Sequence, residues 1–110
     1  MLVLDDEERP GGRVLSISGD VDVVNAPKVR GEIIRLLGDG SGRLVLDLTR
    51  VPFLDSFGLG VLVGALKRSR SAGGSLGVVV TEPRVRSVFE VTGLDGVFDL
   101  YDSVDAALES

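Results

Sequence analysis

The chain contains no histidine and no cysteine. Without histidine it lacks the usual general base, the commonest metal ligand and the middle member of a Ser-His-Asp triad. Without cysteine there is no disulfide framework, no thiolate nucleophile and no sulfur-ligated zinc. Aromatic residues are scarce: one tyrosine and four phenylalanines are too few for a base-stacking platform. Basic residues are outnumbered, 12 against 17 acidic ones, and a net charge of −5 opposes binding to nucleic-acid phosphates. Long apolar runs are missing as well, since the longest, "VLVGAL", falls far short of the about 20 residues that cross a bilayer. The opening "MLVLDDEER" has no basic leader ahead of a hydrophobic core, so a cytoplasmic location is expected. No cofactor, no metal and no enzymatic activity are expected.

What is present is a regular alternation of strand and helix signals over one domain, residues 1–110. "RVLSISG" (13–19) alternates as a strand, and "MLVL" is expected to pair with it across "DDEERPGG", read as a mobile loop. A helix should follow "GDVDVV", with Asn25 as N-cap, Pro27 in the first turn and Val29, Ile33, Leu36 and Leu37 on one side. Gly38, Gly40 and Gly42 should end it. "RLVLDL" (43–48) and "SLGVVV" (75–80) read as strands covered on both faces. Between them, a helix after Ser56 collects Leu59, Leu62, Val63 and Leu66 on one side. Lys67, Arg68 and Arg70 at its end complement the helix dipole. "PRVRSVFEVTG" (83–93) predicts a third helix with Val85, Val88 and Phe89 apolar, "VFDLY" (97–101) a last strand, and "SVDAALES" a terminal helix opened by Asp102 or Ser103. The order implies an α/β fold: a mixed, mostly parallel sheet with an antiparallel N-terminal edge and about four helices.

"VPFLDSFGLG" (51–60) puts a carboxylate and a hydroxyl where a strand gives way to a helix. One reading is local: Ser56, or Asp55, caps the orphan N–H groups of the first turn. The other is that Ser56 accepts phosphate, whose charge of about −1.5 to −2 a helix N-terminus tolerates. Gly58 and Gly60 fit either a backbone left open to a partner or a close approach of helix to sheet. Asp20 and Asp22 fit solvated turn positions equally well.

A resemblance favours the second reading. "GDVDVVNAPKVRGEI", "RLVLDLTRVPFLDSFGLGVLVGALKRSRSAGGSL" and "PRVRSVFEVTGLDGVFDLYDS" follow one another with the spacing of the STAS domain, and resemble the bacterial anti-sigma factor antagonists of that family. The likeness spans nearly the whole chain and is most specific around Asp55-Ser56-Phe57-Gly58-Leu59-Gly60. It implies a protein that binds an anti-sigma factor, itself a serine kinase with a histidine-kinase-like ATP site, and thereby frees a sigma factor. Phosphorylation of the serine in an Asp-Ser-Ser/Thr-Gly motif breaks that complex, and a metal-dependent serine/threonine phosphatase restores it. The resemblance makes Ser56 the phosphoacceptor and assigns Asp20, Asp22, Asn25, Asp55, Phe57, Gly58 and Leu59 to the partner-facing end. Phe57 departs from the motif; a ring there either adds apolar contact area or hinders the kinase. Lys28 replaces the acid that would complete a capping box with Asn25.

Two other functions fit less well. STAS domains also serve as unphosphorylated interaction subunits of stress-sensing or transport complexes. The lack of a membrane span opposes a transporter, and the mark of such a subunit would be a missing acceptor serine, yet Ser56 is there. A serine hydrolase is opposed by the absent histidine and by "LDSFG", which is not a Gly-x-Ser-x-Gly elbow. "GLGVLVG" has the wrong glycine spacing for a dinucleotide site and lies within a helix.

Overall fold

The chain folds as β1 (Val3–Arg9), β2 (Gly12–Ser18), α1 (Ala26–Leu36), β3 (Arg43–Arg50), α2 (Ser56–Ser71), β4 (Ser75–Val79), α3 (Pro83–Val91), β5 (Asp99–Tyr101) and α4 (Val104–Glu109). This is the order in the computed structural model, which describes residues 1–38 and 42–110. The strands form one sheet in the order β1-β2-β3-β4-β5. β1 runs antiparallel to β2, and the remaining neighbours are parallel.

The period-two alternation of the strands sorts their side chains onto two faces. Leu15, Ile17, Leu44, Leu46, Leu48, Leu76 and Val78 join one buried cluster with residues of α1, α2 and α3. Val14, Val45 and Val79 point the other way and meet Ala107 of α4. Arg43 fastens α4 to the sheet: its Nε donates to the Ala107 carbonyl at 2.8 Å and Nη2 to the Tyr101 hydroxyl at 3.1 Å.

α2 buries Leu59, Leu62, Ala65 and Leu66 along one side. Ser69 lies on the same side, fully buried, and its hydroxyl has no hydrogen-bond partner among the described residues. An unpaired buried hydroxyl costs about 1–3 kcal/mol. Ser69→Ala is therefore expected to stabilise the domain by about 1 kcal/mol. A urea titration should show a higher midpoint with an unchanged slope.

Several expectations are corrected. The acidic stretch read as a mobile loop is strand: β1 runs to Arg9 and only Pro10-Gly11 turns, with Gly11 at φ 98°. Cations from elsewhere make this possible, because Arg13 lies opposite Glu8 and donates to Asp6 at 2.9 Å, and Arg35 reaches Asp6 at 3.1 Å. Charge on an edge strand also guards it against pairing with other chains. α1 ends at Leu36 with Leu37 as its C-cap, ahead of the glycines; Gly40 lies outside the described residues. The last strand is shorter than expected. Leu94–Gly96 form a 3₁₀ turn, and Phe98 is buried edge-on against Phe89, centroids 5.3 Å apart. Of the two caps considered for α4, Ser103 serves, accepting from the Ala106 amide at 3.1 Å, while Asp102 pairs with Arg86.

Candidate functional site

The segments after β2 and β3 leave the sheet side by side at its carboxyl end. The Gly19 amide donates to the Arg50 carbonyl, the Val21 amide to Phe53, and the Asp55 amide back to Val21. This pairing continues the parallel ladder to a bridge between Val21 and Leu54. Residues 20–25 and 52–57, far apart in sequence, therefore form one rim.

Two carboxylates hold the rim together. Asp55 caps α2 in extended backbone geometry: Oδ1 accepts from the Gly58 amide at 2.9 Å, and Oδ2 accepts from the Val23 amide at 3.0 Å. Asp22 Oδ1 accepts from the Val24 and Asn25 amides at 3.1 and 2.9 Å, an Asx-type turn into α1. Asn25 consequently does not cap α1 with its side chain. It sits in helical geometry and its Nδ2 donates to the Asp20 carbonyl at 2.9 Å. Asp22 takes over because it closes the turn two and three residues ahead, accepting from the amides of both Val24 and Asn25. The helix start is thus satisfied within the chain, before any binding occurs.

With Asp55 as the cap, Ser56 is not needed to begin the helix. It is the first residue of α2 and is exposed. Phe57 beside it is 60 % exposed, and Val23, Val24 and Phe53 on the same rim are 53 %, 78 % and 52 % exposed. Asp20 is exposed, whereas Asp22 and Asp55 are half-buried. Gly58 and Leu59 lie beneath this surface rather than on it. A Cβ on Gly58 would stand 2.2 Å from the Val21 carbonyl oxygen, and Leu59 belongs to the core.

The two readings of the glycines thus separate. Gly58 lets α2 lie against the segment after β2. Gly60 and Gly64 face open space, where a Cβ would meet nothing within 4 Å. Each costs the helix about 0.5–1 kcal/mol relative to alanine, and the fold gives no reason for either. They belong to an outward row that begins at Phe57 and includes Val61. Across from it, Arg30, Ile33 and Ile34 of α1 form the second wall of a groove.

Reading the sequence by motif overlooked Val23, Val24 and Phe53. Their signal was visible: "VDVVN" carries apolar residues through a turn where solvent-facing positions would be polar. No helix among the described residues is long and apolar enough to cross a membrane.

A chain with this topology, an antiparallel edge on a parallel sheet and a serine directly after the capping aspartate of its second helix, has a known class. The sequence model of the STAS domain matches residues 4–107. The chain belongs to the STAS domain family. Within it, the chain is 36 % identical over 86 residues to the anti-sigma-B factor antagonist of Bacillus subtilis (strain 168), covering 78 % of each. It is 35 % identical over 85 residues to the anti-sigma-B factor antagonist of Listeria monocytogenes, covering 76 % of this chain and 74 % of that one. The crystal structure of an anti-sigma factor antagonist from Mycobacterium paratuberculosis superposes with a TM-score of 0.91 at 36 % identity, over 99 % of this chain and 92 % of the other.

Proposed function

We propose that this chain is an anti-sigma factor antagonist whose hold on its anti-sigma factor is released by phosphorylation of Ser56. It acts by binding and is not an enzyme. The observation that carries the reading is the exposed Ser56 hydroxyl, freed from capping by Asp55 and set among four exposed large apolar side chains. The apolar rim supplies contact area, and the hydroxyl supplies the means of spoiling it.

The anti-sigma factor is the kinase in this proposal. It transfers the γ-phosphoryl group of ATP to the Ser56 oxygen, leaving ADP, and a serine/threonine phosphatase later hydrolyses the ester. The product places a charge of about −1.5 to −2 on the rim. The helix end tolerates it electrostatically, so the domain stays folded. The docking surface changes, because Asp20, Asp22 and Asp55 already make that rim acidic.

The test is incubation with an anti-sigma factor kinase of the same organism and ATP, followed by peptide mapping of the phosphate. A single phosphate on Ser56, with loss of the complex and its recovery on phosphatase treatment, is the expected result. A complex that forms and persists with Ser56 unmodified would instead mark a constitutive interaction subunit.

A further inference from the structure

We infer that the groove between α1 and α2 receives an acidic amphipathic helix of a partner protein. The inference extends the docking surface of the proposed function and rests on the chain having a protein partner, but not on the phosphorylation of Ser56.

The charge of the groove runs against that of the chain. Arg30, Lys67 and Arg68 line it, and no carboxylate does so among the described residues. These three cations enter no ion pair among the described residues, as is also true of Lys28, Arg43, Arg50, Arg70 and Arg84, but only these three are gathered at this groove. A chain of net charge −5 thus keeps a trio of unmatched positive side chains around one apolar trough. Complementing the dipole of α2 accounts for Arg68 in its last turn, but not for Arg30 in the middle of α1.

The shape favours a helix over an extended strand. Phe57, Gly60, Val61, Gly64 and Arg68 recur at the three- and four-residue spacing that makes one face of α2. Gly60 and Gly64 leave the middle of that face open, so a partner backbone can lie close, as small residues permit in helix pairs. Phe57 and Val61 offer apolar anchors at one end, and the cations stand at the other and along the wall. An extended peptide would need an unpaired strand edge to add to, and the groove has none. The bound segment is therefore apolar on one side and rich in Asp or Glu along its margins.

The probe is a peptide of about 18 residues, five helical turns, with Leu on one face and Glu on the flanks. Its reverse-charge twin carries Lys for Glu. Titrated into ¹⁵N-labelled protein, the Glu peptide should shift amide signals of α1 and α2 in the groove and leave β1 and α4 untouched. The double variant Lys67→Glu/Arg68→Glu, and separately Arg30→Glu, should each weaken binding by about tenfold or more, as should the Lys twin. Raising NaCl from about 0.05 to about 0.5 M should weaken it too. Gly64→Leu, which fills the trough, should abolish binding while the dispersed spectrum of a folded domain persists.

Equal affinity for both peptides, shifts outside the groove, or no loss with the charge-reversed variants would each overturn the inference. So would sedimentation showing a dimer that Gly64→Leu dissociates, because the groove would then be filled by a second copy. Ser56→Asp serves as the separating control. It should leave peptide affinity within about twofold, so failure of the phosphorylation reading and failure of the groove give different results.

Discussion

Gly58→Ala should destabilise the domain by about 3 kcal/mol, while Gly60→Ala and Gly64→Ala on the same helix should stabilise it by about 0.5–1 kcal/mol each. The three sites share a residue type and a helix, and differ in what lies opposite. At Gly58 an added methyl would lie 2.2 Å from the Val21 carbonyl oxygen, with Leu54 Cδ1 at 2.7 Å and Val21 Cγ1 at 2.8 Å. Side chains can rotate away, but a carbonyl tied to the bridged strand ends moves only with its backbone. That carbonyl also accepts from the Asp55 amide, so displacing it weakens the cap of α2 as well. The gain in helix propensity, about 1 kcal/mol, does not offset this. At Gly60 and Gly64 no such neighbour exists, and the propensity gain stands alone. Thermal denaturation should separate the variants, with a fall of roughly 10–20 °C for Gly58→Ala and a rise of a few degrees for the others. A Gly58→Ala protein as stable as wild type would show that helix and strand segment do not need their close approach.

Ser56→Asp should lower the affinity for the anti-sigma factor about 100-fold or more, and Ser56→Ala should leave it within a few-fold. The contrast follows from the structure of the rim. Asp55 already accepts from the Gly58 and Val23 amides, so neither substitution removes a bond that the fold relies on. Alanine deletes a hydroxyl that the helix start does not use. Aspartate adds a charge where Asp20, Asp22 and Asp55 are already gathered and where the exposed Phe57, Phe53 and Val23 would otherwise be covered by the partner. An unpaired charge trapped in such a contact costs about 2–5 kcal/mol, which is the loss in affinity expected. Titration calorimetry on the two variants would measure it. Circular dichroism should show both as folded as the parent, since an anion at the first position of α2 suits the helix dipole. Equal binding by Ser56→Asp and wild type would end the case for a charge-operated release.

The alternation of strands and helices could be read from periodicity alone because each element carries its own apolar pattern. "RLVLDL" and the core side of α2 are examples, and they place Ser56 at the start of a helix without further information. What was illegible depended on contacts between distant segments. The acidic run of β1 resembles a loop until Arg13 and Arg35 arrive to neutralise it. Asn25 and Asp22 are both good turn acceptors, and only the folded geometry gives the task to Asp22. Gly58 and Gly60 look alike in "SFGLG", since the carbonyl that distinguishes them comes from the segment after β2. The family resemblance assigned Gly58 and Leu59 to the partner-facing end, and the structure buries both beneath the rim.

The two bonds of the Asp55 carboxylate have a further consequence for association. By holding the Val23 amide with one oxygen and the first turn of α2 with the other, Asp55 fixes both halves of the rim before any encounter. A preorganised surface loses little conformational entropy on docking. A partner of this chain would therefore meet a finished surface, and the strength of the contact would rest on how well it fits that surface rather than on ordering it.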